Sequence, residues 1–263
     1  MIPVTKMHGA RNDFVVLDQR SAPIGTLREF ARWACDRRAG IGADGLIVIE
    51  ASTVADARMR VINADGSEAE MCGNGIRCAA RWLDEAGEGD RVRFETLAGI
   101  VETSVVAREP EYLVRVALGA PRVSPQPVRF MEDARFVEVG NPHVVIFREH
   151  VDDVDLTMVA TRLQSQNNGF SNGTNVHLAA VDGGTLRVRH WERGVGLTMA
   201  CGTGAVACAA AAIAQEKLSS PVVVFAPGGR LIVEWNGDGQ AFLTGPAVRV
   251  FDTAVRVEAG AAI

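Results

Sequence analysis

The sequence predicts an α+β fold in two pseudo-symmetric halves, each a curved, mostly antiparallel sheet wrapped around a central helix, with a cleft between them. Two observations carry this. The chain reads as many short strands broken by turn residues, with one apolar helix per half and little sign of βαβ alternation. It also repeats itself: Met71-Cys72-Gly73-Asn74-Gly75 resembles Ala200-Cys201-Gly202-Thr203-Gly204, with cysteines 129 positions apart. Asn12-Asp13-Phe14-Val15-Val16-Leu17 maps onto Asn141-Pro142-His143-Val144-Val145-Ile146 at the same offset. So does a helical apolar stripe, Leu27, Phe30, Ala31 and Ala34, onto Leu156, Val159, Ala160 and Leu163. The register then drifts, pairing Cys78 with Cys208 and Phe94 with Phe225. Three separated matches at one offset indicate a duplicated domain, the halves related by a pseudo-twofold.

In order, strands over Val4–Met7 and Phe14–Asp18 lead to the helix of the Leu27 stripe. Strands at Leu46–Glu50 and Ala57–Ile62 and a turn at Asn63-Ala64-Asp65-Gly66 follow. Cys72 then opens a helix running to about Glu85, and strands near Val92–Glu95, Gly99–Val106 and Tyr112–Ala117 complete the half. Gly119-Ala120-Pro121, with Ser124-Pro125-Gln126-Pro127 behind it, reads as the linker. The second half repeats the series, its buried helix at Thr203–Gln215.

Composition excludes several classes. The 263 residues are 48% hydrophobic and 22% charged, which is globular rather than disordered. A net charge of −5 with no basic stripe argues against a nucleic-acid partner. The N-terminal MIPVTKMHGARNDF lacks the order of a signal peptide, and the longest apolar run, Ala205–Ala214, is too short for a bilayer. A cytoplasmic protein without membrane attachment is the expectation. Five cysteines make no disulfide framework, and neither they nor the five histidines show metal-ligand spacing, so no metal is expected.

Gly40-Ile41-Gly42-Ala43-Asp44-Gly45 spells a dinucleotide fingerprint, but that mechanism needs a strand before the glycines and a helix after them. The order here is reversed, so the segment reads as a helix end and turn. Cys72 and Cys201 are different, because each precedes Gly-x-Gly and an apolar helix. A thiol there feels the positive helix end, which favours thiolate, and the following N–H groups can hold a carboxylate. The alternative is packing, the common fate of cysteine, and that reading is adopted for Cys35, Cys78 and Cys208 on apolar helical faces. Two equivalent thiols facing each other across a cleft could invert a stereocentre, one removing a proton and the other supplying one. Asn63 and Glu192 occupy equivalent positions nine residues before each cysteine, so the repeat is broken where a substrate with unlike ends would need it. Glu192-Arg193 could bind an ammonium and a carboxylate or be a surface charge pair. His143 could tune a thiol or be structural. No cofactor motif is visible.

Taken together, Asn63–Glu68, Met71–Cys78, Gly140-Asn141-Pro142-His143, Glu192-Arg193-Gly194 and Ala200–Gly204 resemble diaminopimelate epimerase, a cofactor-independent family, over nearly the whole chain. Asn74 favours that branch, since proline racemases usually have His after the Cys-Gly. The resemblance implies interconversion of LL- and meso-diaminopimelate in lysine and cell-wall precursor synthesis, and a homodimer. It implies Cys72 and Cys201 as the acid/base pair, with His143 and Glu192 modulating the thiols. Asn12, Asn63, Asn141, Asn175, Glu192 and Arg193 would contact the substrate, with N–H groups from Gly73-Asn74 and Gly202-Thr203. It implies an N-terminal half of residues 1–117 plus 248–263 and a C-terminal half of 118–247. Leu197, Ser171 and Gly45 depart from the family's usual Glu, Pro and, in some members, Gln. A racemase for another amino acid, such as histidine or a proline-like acid, and a non-catalytic ligand-binding protein are the alternatives.

Overall fold

The computed structural model describes residues 1–128, 131–165, 170 and 173–256. The chain forms two compact units, one from Met1–Val116 with the segment from Gly245 onward, the other Ala117–Thr244. The elements run β1 (Ile2–Gly9), β2 (Asn12–Asp18), α1 (Leu27–Cys35), β3 (Gly45–Glu50), β4 (Ala57–Asn63), β5 (Glu68–Ala69), α2 (Gly73–Glu85), β6 (Arg91–Thr96), β7 (Gly99–Ala107) and β8 (Leu113–Ala117). They continue β9 (Arg122–Val128), β10 (Met131–Glu138), β11 (Pro142–Phe147), α3 (Leu156–Ser165), β12 (Asn175–Asp182), β13 (Thr185–Glu192), β14 (Gly196–Thr198) and α4 (Gly202–Ala214). The last are β15 (Val222–Ala226), β16 (Gly229–Glu234), β17 (Phe242–Pro246) and β18 (Val248–Val255).

In the first unit β1 pairs antiparallel with β2 and β18, β4 with β3 and β5, and β7 with β6 and β8. Two pairings are parallel, β2 with β3 across α1 and β4 with β6 across α2. The second unit repeats every pairing: β10 with β11 and β9, β13 with β12 and β14, and β16 with β15 and β17, all antiparallel. Its parallel pairs are β11 with β12 across α3 and β13 with β15 across α4. The fold is therefore α+β and duplicated. The helix crossovers correct the sequence reading, which saw little βαβ alternation. They escape notice because α1 and α3 span only 9 and 10 residues and the strands they join also pair antiparallel.

The central strands read as continuous apolar runs because both faces are covered. On one face of the first sheet, Val15, Leu17, Leu46 and Val48 pack with Phe30, Ala31 and Ala34 of α1. Phe14 and Ile47 lie under the start of α2, where a Cβ on Gly75 would stand 3.5 Å from the Phe14 ring and 3.3 Å from Ile47. The second unit matches, with Val144, Ile146, Val176 and Leu178 against Leu156, Ala160 and Leu163 of α3.

The proposed linker is partly strand, since Ser124–Pro127 lies inside β9, paired with β10. Its prolines and polar residues obscure the pattern, but the β10 pairing holds the segment extended. The Gly40–Gly45 segment is a post-helix turn, as its order of elements requires. Gly40 N–H donates to the Asp36 carbonyl, and Gly42 has φ +80°. A Cβ on Gly40 would stand 1.9 Å from the Trp33 carbonyl oxygen, a backbone atom that cannot yield without unwinding the helix end. Gly40→Ala is therefore expected to cost about 2–4 kcal/mol in urea denaturation. Gly25→Ala, with nothing within 4 Å of the new methyl, should stay within about 0.5 kcal/mol.

Candidate active site

In the first unit Cys72 caps α2. Its backbone is extended (φ −136°, ψ 113°) and its Sγ accepts the Gly75 N–H at 3.4 Å, the part that Ser or Asp usually plays at a helix start. The first turn carries no acidic residue, so its positive end is not neutralised by the helix itself. The Cys72 thiol lies 3.7 Å from Asn12 Oδ1, which also accepts from Asn74 Nδ2 at 3.3 Å. The other end of the Asn12 amide is fixed, Nδ2 donating to Asp44 at 2.8 Å. Asp44 is braced by Arg37, which also pairs with Asp13, and Lys6 closes the network on Asp13 and the Gly42 carbonyl. Burial opposes the Asp13 charge, but hydrogen bonds from Arg37 and Lys6 outweigh it and hold the carboxyl far below its usual range. Asn63 ends β4 beside Gly45 and donates to Ser67 Oγ at 2.9 Å.

The second unit builds the equivalent centre differently. Cys201 caps α4 with φ −121° and ψ 117°, its Sγ accepting the Gly204 N–H at 3.4 Å and lying 3.6 Å from Thr203 Oγ1. Glu192 lies beside this thiol and accepts from Thr198 at 2.6 Å. Asn175 joins strand ends, donating to the Pro142 carbonyl at 3.0 Å and accepting the Arg193 N–H at 2.9 Å. The Arg193 stem rests on Gly173, where a Cβ would stand 2.8 Å from its Cδ. Asn141 Oδ1 is 2.7 Å from His143 Nε2.

The thiols differ in setting. Cys72 is half-buried, whereas Cys201 is 4% exposed. Burial pushes the Cys201 thiol well above its usual range, and the Glu192 charge pushes the same way. Hydrogen bonds from Thr203 and the Gly204 N–H only partly oppose this. The expected lowering by the helix end is thus overridden at Cys201. Cys35 and Cys78 are buried packing cysteines pushed up to about 12, and burial raises Cys208 as well.

His143 does not stand alone beside a thiol. Its Nδ1 is 2.8 Å from His177 Nε2, and His177 Nδ1 is 2.9 Å from His190 Nδ1. All three rings are fully buried. Burial pushes His143 and His190 down to about 3 and His177 well below its ordinary value.

Sequence reasoning missed His177, His190 and Arg77. The histidines have no mutual spacing until the β12–β13 register pairs them. Arg77 sits in the Cys72 motif, fully buried, and ties Asn74 Oδ1, the Gly73 carbonyl and the Pro246 carbonyl together. Asp44 was visible only inside a rejected glycine motif. Of the departures from the family pattern, Leu197 is exposed and Gly45 is buried in β3, where a Cβ would approach the Ile62 carbonyl to 3.1 Å. Ser171 lies outside the described residues.

Two outcomes test these environments. Iodoacetamide mapped by mass spectrometry at pH 8.5 should label Cys72 ahead of Cys201. Glu192→Gln should raise the Cys201 rate roughly three- to tenfold, the effect of half to one pKa unit; an unchanged rate would mean the carboxylate does not act on the thiol. The histidines predict acid sensitivity. Their folded pKa values lie below the unfolded 6.5, so unfolding takes up protons and stability falls as pH drops below 6.5. At pH 5 His143 and His190 should each cost roughly 2 kcal/mol. Urea midpoints that stay flat between pH 7 and pH 5 would contradict a neutral buried row.

The chain resembles known proteins over most of its length. The family model described as diaminopimelate epimerase matches residues 4–124 and 135–250. A diaminopimelate epimerase from Rhizorhabdus wittichii is 43% identical, covering 94% of this chain and 92% of its own. Those from Archaeoglobus fulgidus and Pseudomonas aeruginosa are 42% and 40% identical, covering 97% and 98% of this chain and 97% and 100% of theirs. Among solved structures, a Bacillus anthracis phenazine biosynthesis protein of the PhzF family has a TM-score of 0.77 at 19% identity, covering 97% of this chain and 99% of its own. A probable proline racemase from Agrobacterium radiobacter has a TM-score of 0.67 at 16% identity, covering 98% and 94%. These two share the fold, whereas the family match and the relatives at 40% identity or more decide membership: the chain belongs to the diaminopimelate epimerase family.

Proposed function

We propose that this chain is an isomerase that interconverts LL- and meso-diaminopimelate, with Cys72 and Cys201 as its acid/base pair. The observation that carries the reading is the matched capping of α2 and α4 by cysteine sulfur, at equivalent places in a duplicated unit, in a chain of this family. The reading requires both thiols to reach opposite faces of one substrate carbon. One thiolate takes the α-hydrogen as a proton, leaving the electron pair on Cα. The opposite thiol donates its proton to that carbon and becomes the thiolate, so the centre inverts and no group is gained or lost. The N–H groups at Gly73-Asn74 and Gly202-Thr203 hold the α-carboxylate, stabilising the charge that builds on the carbanion. Asn12, Asn63, Asn141, Asn175, Glu192 and Arg193 bind the remaining polar groups, the Arg193 fork suiting a carboxylate.

Glu192 gives the cycle a direction-independent partner for Cys201. In the free protein its charge helps keep the thiol protonated, ready to donate. After donation the thiolate beside it is a stronger base, suited to the return reaction. His143 acts on the site through Asn141, with which it shares a hydrogen bond. The family resemblance also supports a homodimeric, cytoplasmic enzyme. Among the described residues no helix is long and apolar enough to cross a membrane.

Proton NMR of the reduced protein with LL-diaminopimelate in D₂O tests the reaction. The α-proton signal should disappear as the meso isomer appears. Cys72→Ala and Cys201→Ala should each lower the rate by about 10³-fold or more, and Arg193→Ala should remove most activity through a raised KM. No exchange with this substrate, but exchange with another L-amino acid, would keep the chemistry and reassign the substrate. Binding without exchange would leave only a ligand-binding protein.

A further inference from the structure

The fold equivalences single out three buried side chains. β11, β12 and β13 stand where β2, β3 and β4 stand in the first unit, with Val145 beside His177 as Val16 is beside Ile47. His177 pairs with His190 as Ile47 pairs with Val61. The row His143–His177–His190 thus replaces Phe14–Ile47–Val61, an apolar row that fills the same fold without polar atoms. The imidazoles are not needed to form the sheet or to seat the helix. What they add is a line of hydrogen bonds from the interior to Asn141, a residue already read as a substrate contact.

The line has a direction. A neutral imidazole carries one N–H, and the buried rings are neutral. With Asn141 Oδ1 as acceptor, His143 donates from Nε2 and must accept at Nδ1 from His177 Nε2–H. His177 must then accept at Nδ1 from His190 Nδ1–H. The row ends on His190 Nε2, which has no partner among the described residues and is left as a bare acceptor. The reverse direction would bury an N–H there with nothing to receive it, the rarer and costlier arrangement.

We infer that His177 and His190 are positioning residues which, through His143, lock the Asn141 amide with its oxygen inward, leaving its NH₂ as the group that meets the substrate. Asn141 is therefore a donor, matched to a carboxylate oxygen and mismatched to an ammonium. Asn12, its equivalent in the first unit, is locked the opposite way: Asp44 holds its nitrogen, and its oxygen faces the Cys72 thiol and Asn74. Equivalent asparagines thus present opposite ends of the amide, one set by a carboxylate and the other by the imidazole row. This inference rests on the proposed role of Asn141 in substrate binding.

Ring tautomers read the direction without any activity. Long-range proton–nitrogen correlation spectra of the full protein labelled with ¹⁵N-histidine, at pH 7, should show Nε2–H for His143 and His177 and Nδ1–H for His190. Nδ1–H on His143 and His177 would overturn the inference. The functional consequence is read from two variants at one position. His177→Ile, which installs the residue of the first unit, should fold, raise KM for LL-diaminopimelate by roughly tenfold and change kcat by less than about threefold. His177→Gln, which restores a donor at the Nε2 position, should recover most of the lost KM. A folded His177→Ile with unchanged KM, or a His177→Gln no better than His177→Ile, would reject a positioning role. An inactive wild type would sink the diaminopimelate reading alone, since the tautomers are measured without substrate.

Discussion

The hydrogen bond from a glycine N–H to a cysteine sulfur at the start of each central helix sets the position of everything else in the candidate site. It ties the thiol to the helix end through Gly75 in one unit and Gly204 in the other. It also depends on how closely the helix lies on its sheet. A Cβ on Gly204 would meet His177 Cε1 at 2.6 Å and His190 Nδ1 at 3.0 Å, and one on Gly75 would meet Ile47 at 3.3 Å. Any side chain at Gly204 would lift the first turn and carry the sulfur with it. The glycines after each cysteine are thus a packing requirement that also fixes a reactive group.

The same geometry produces two unlike electrostatic settings. A helix end is worth up to about 2 kcal/mol to a nearby charge, whereas full burial can shift an ionisable group by several pKa units. Burial therefore wins at Cys201, with Glu192 adding to it. Cys72 is half-buried and has the Asn12 side-chain oxygen, Oδ1, as its neighbour instead. Identical caps do not imply identical thiols.

Duplication supplies two equivalent frames, and the departures from equivalence gather beneath and beside the helix starts. Arg77 is buried in α2 with three hydrogen-bond acceptors around its guanidinium, whereas the equivalent position in α4 is Val206. Asn63 is matched by Glu192, and the Phe14–Ile47–Val61 row by three histidines. A buried guanidinium and a buried imidazole row both carry desolvation costs that an apolar filling avoids. The fold tolerates them because, among the described residues, each of these polar atoms but His190 Nε2 finds a partner, and because α1 and α3 supply separate apolar cores on the opposite faces of the sheets.

The duplication, the two central helices and the place of Cys72 and Cys201 at their starts were legible in the amino-acid order, because they rest on local signals. A repeated motif at one offset, an apolar stripe of helical period and glycines behind a cysteine need no knowledge of distant contacts. The helix crossovers and the strand at Ser124–Pro127 were not legible, because strand pairing is settled by neighbours far away in sequence and overrides local turn chemistry. The same holds within the site. His143, His177 and His190 become a row only through the β11–β12–β13 register, and Asn12 gains its orientation from Asp44, which lies 32 residues away. Even the direction of the Cys201 shift was a tertiary decision, since the sequence displays the helix end that lowers a thiol pKa but not the burial that raises it.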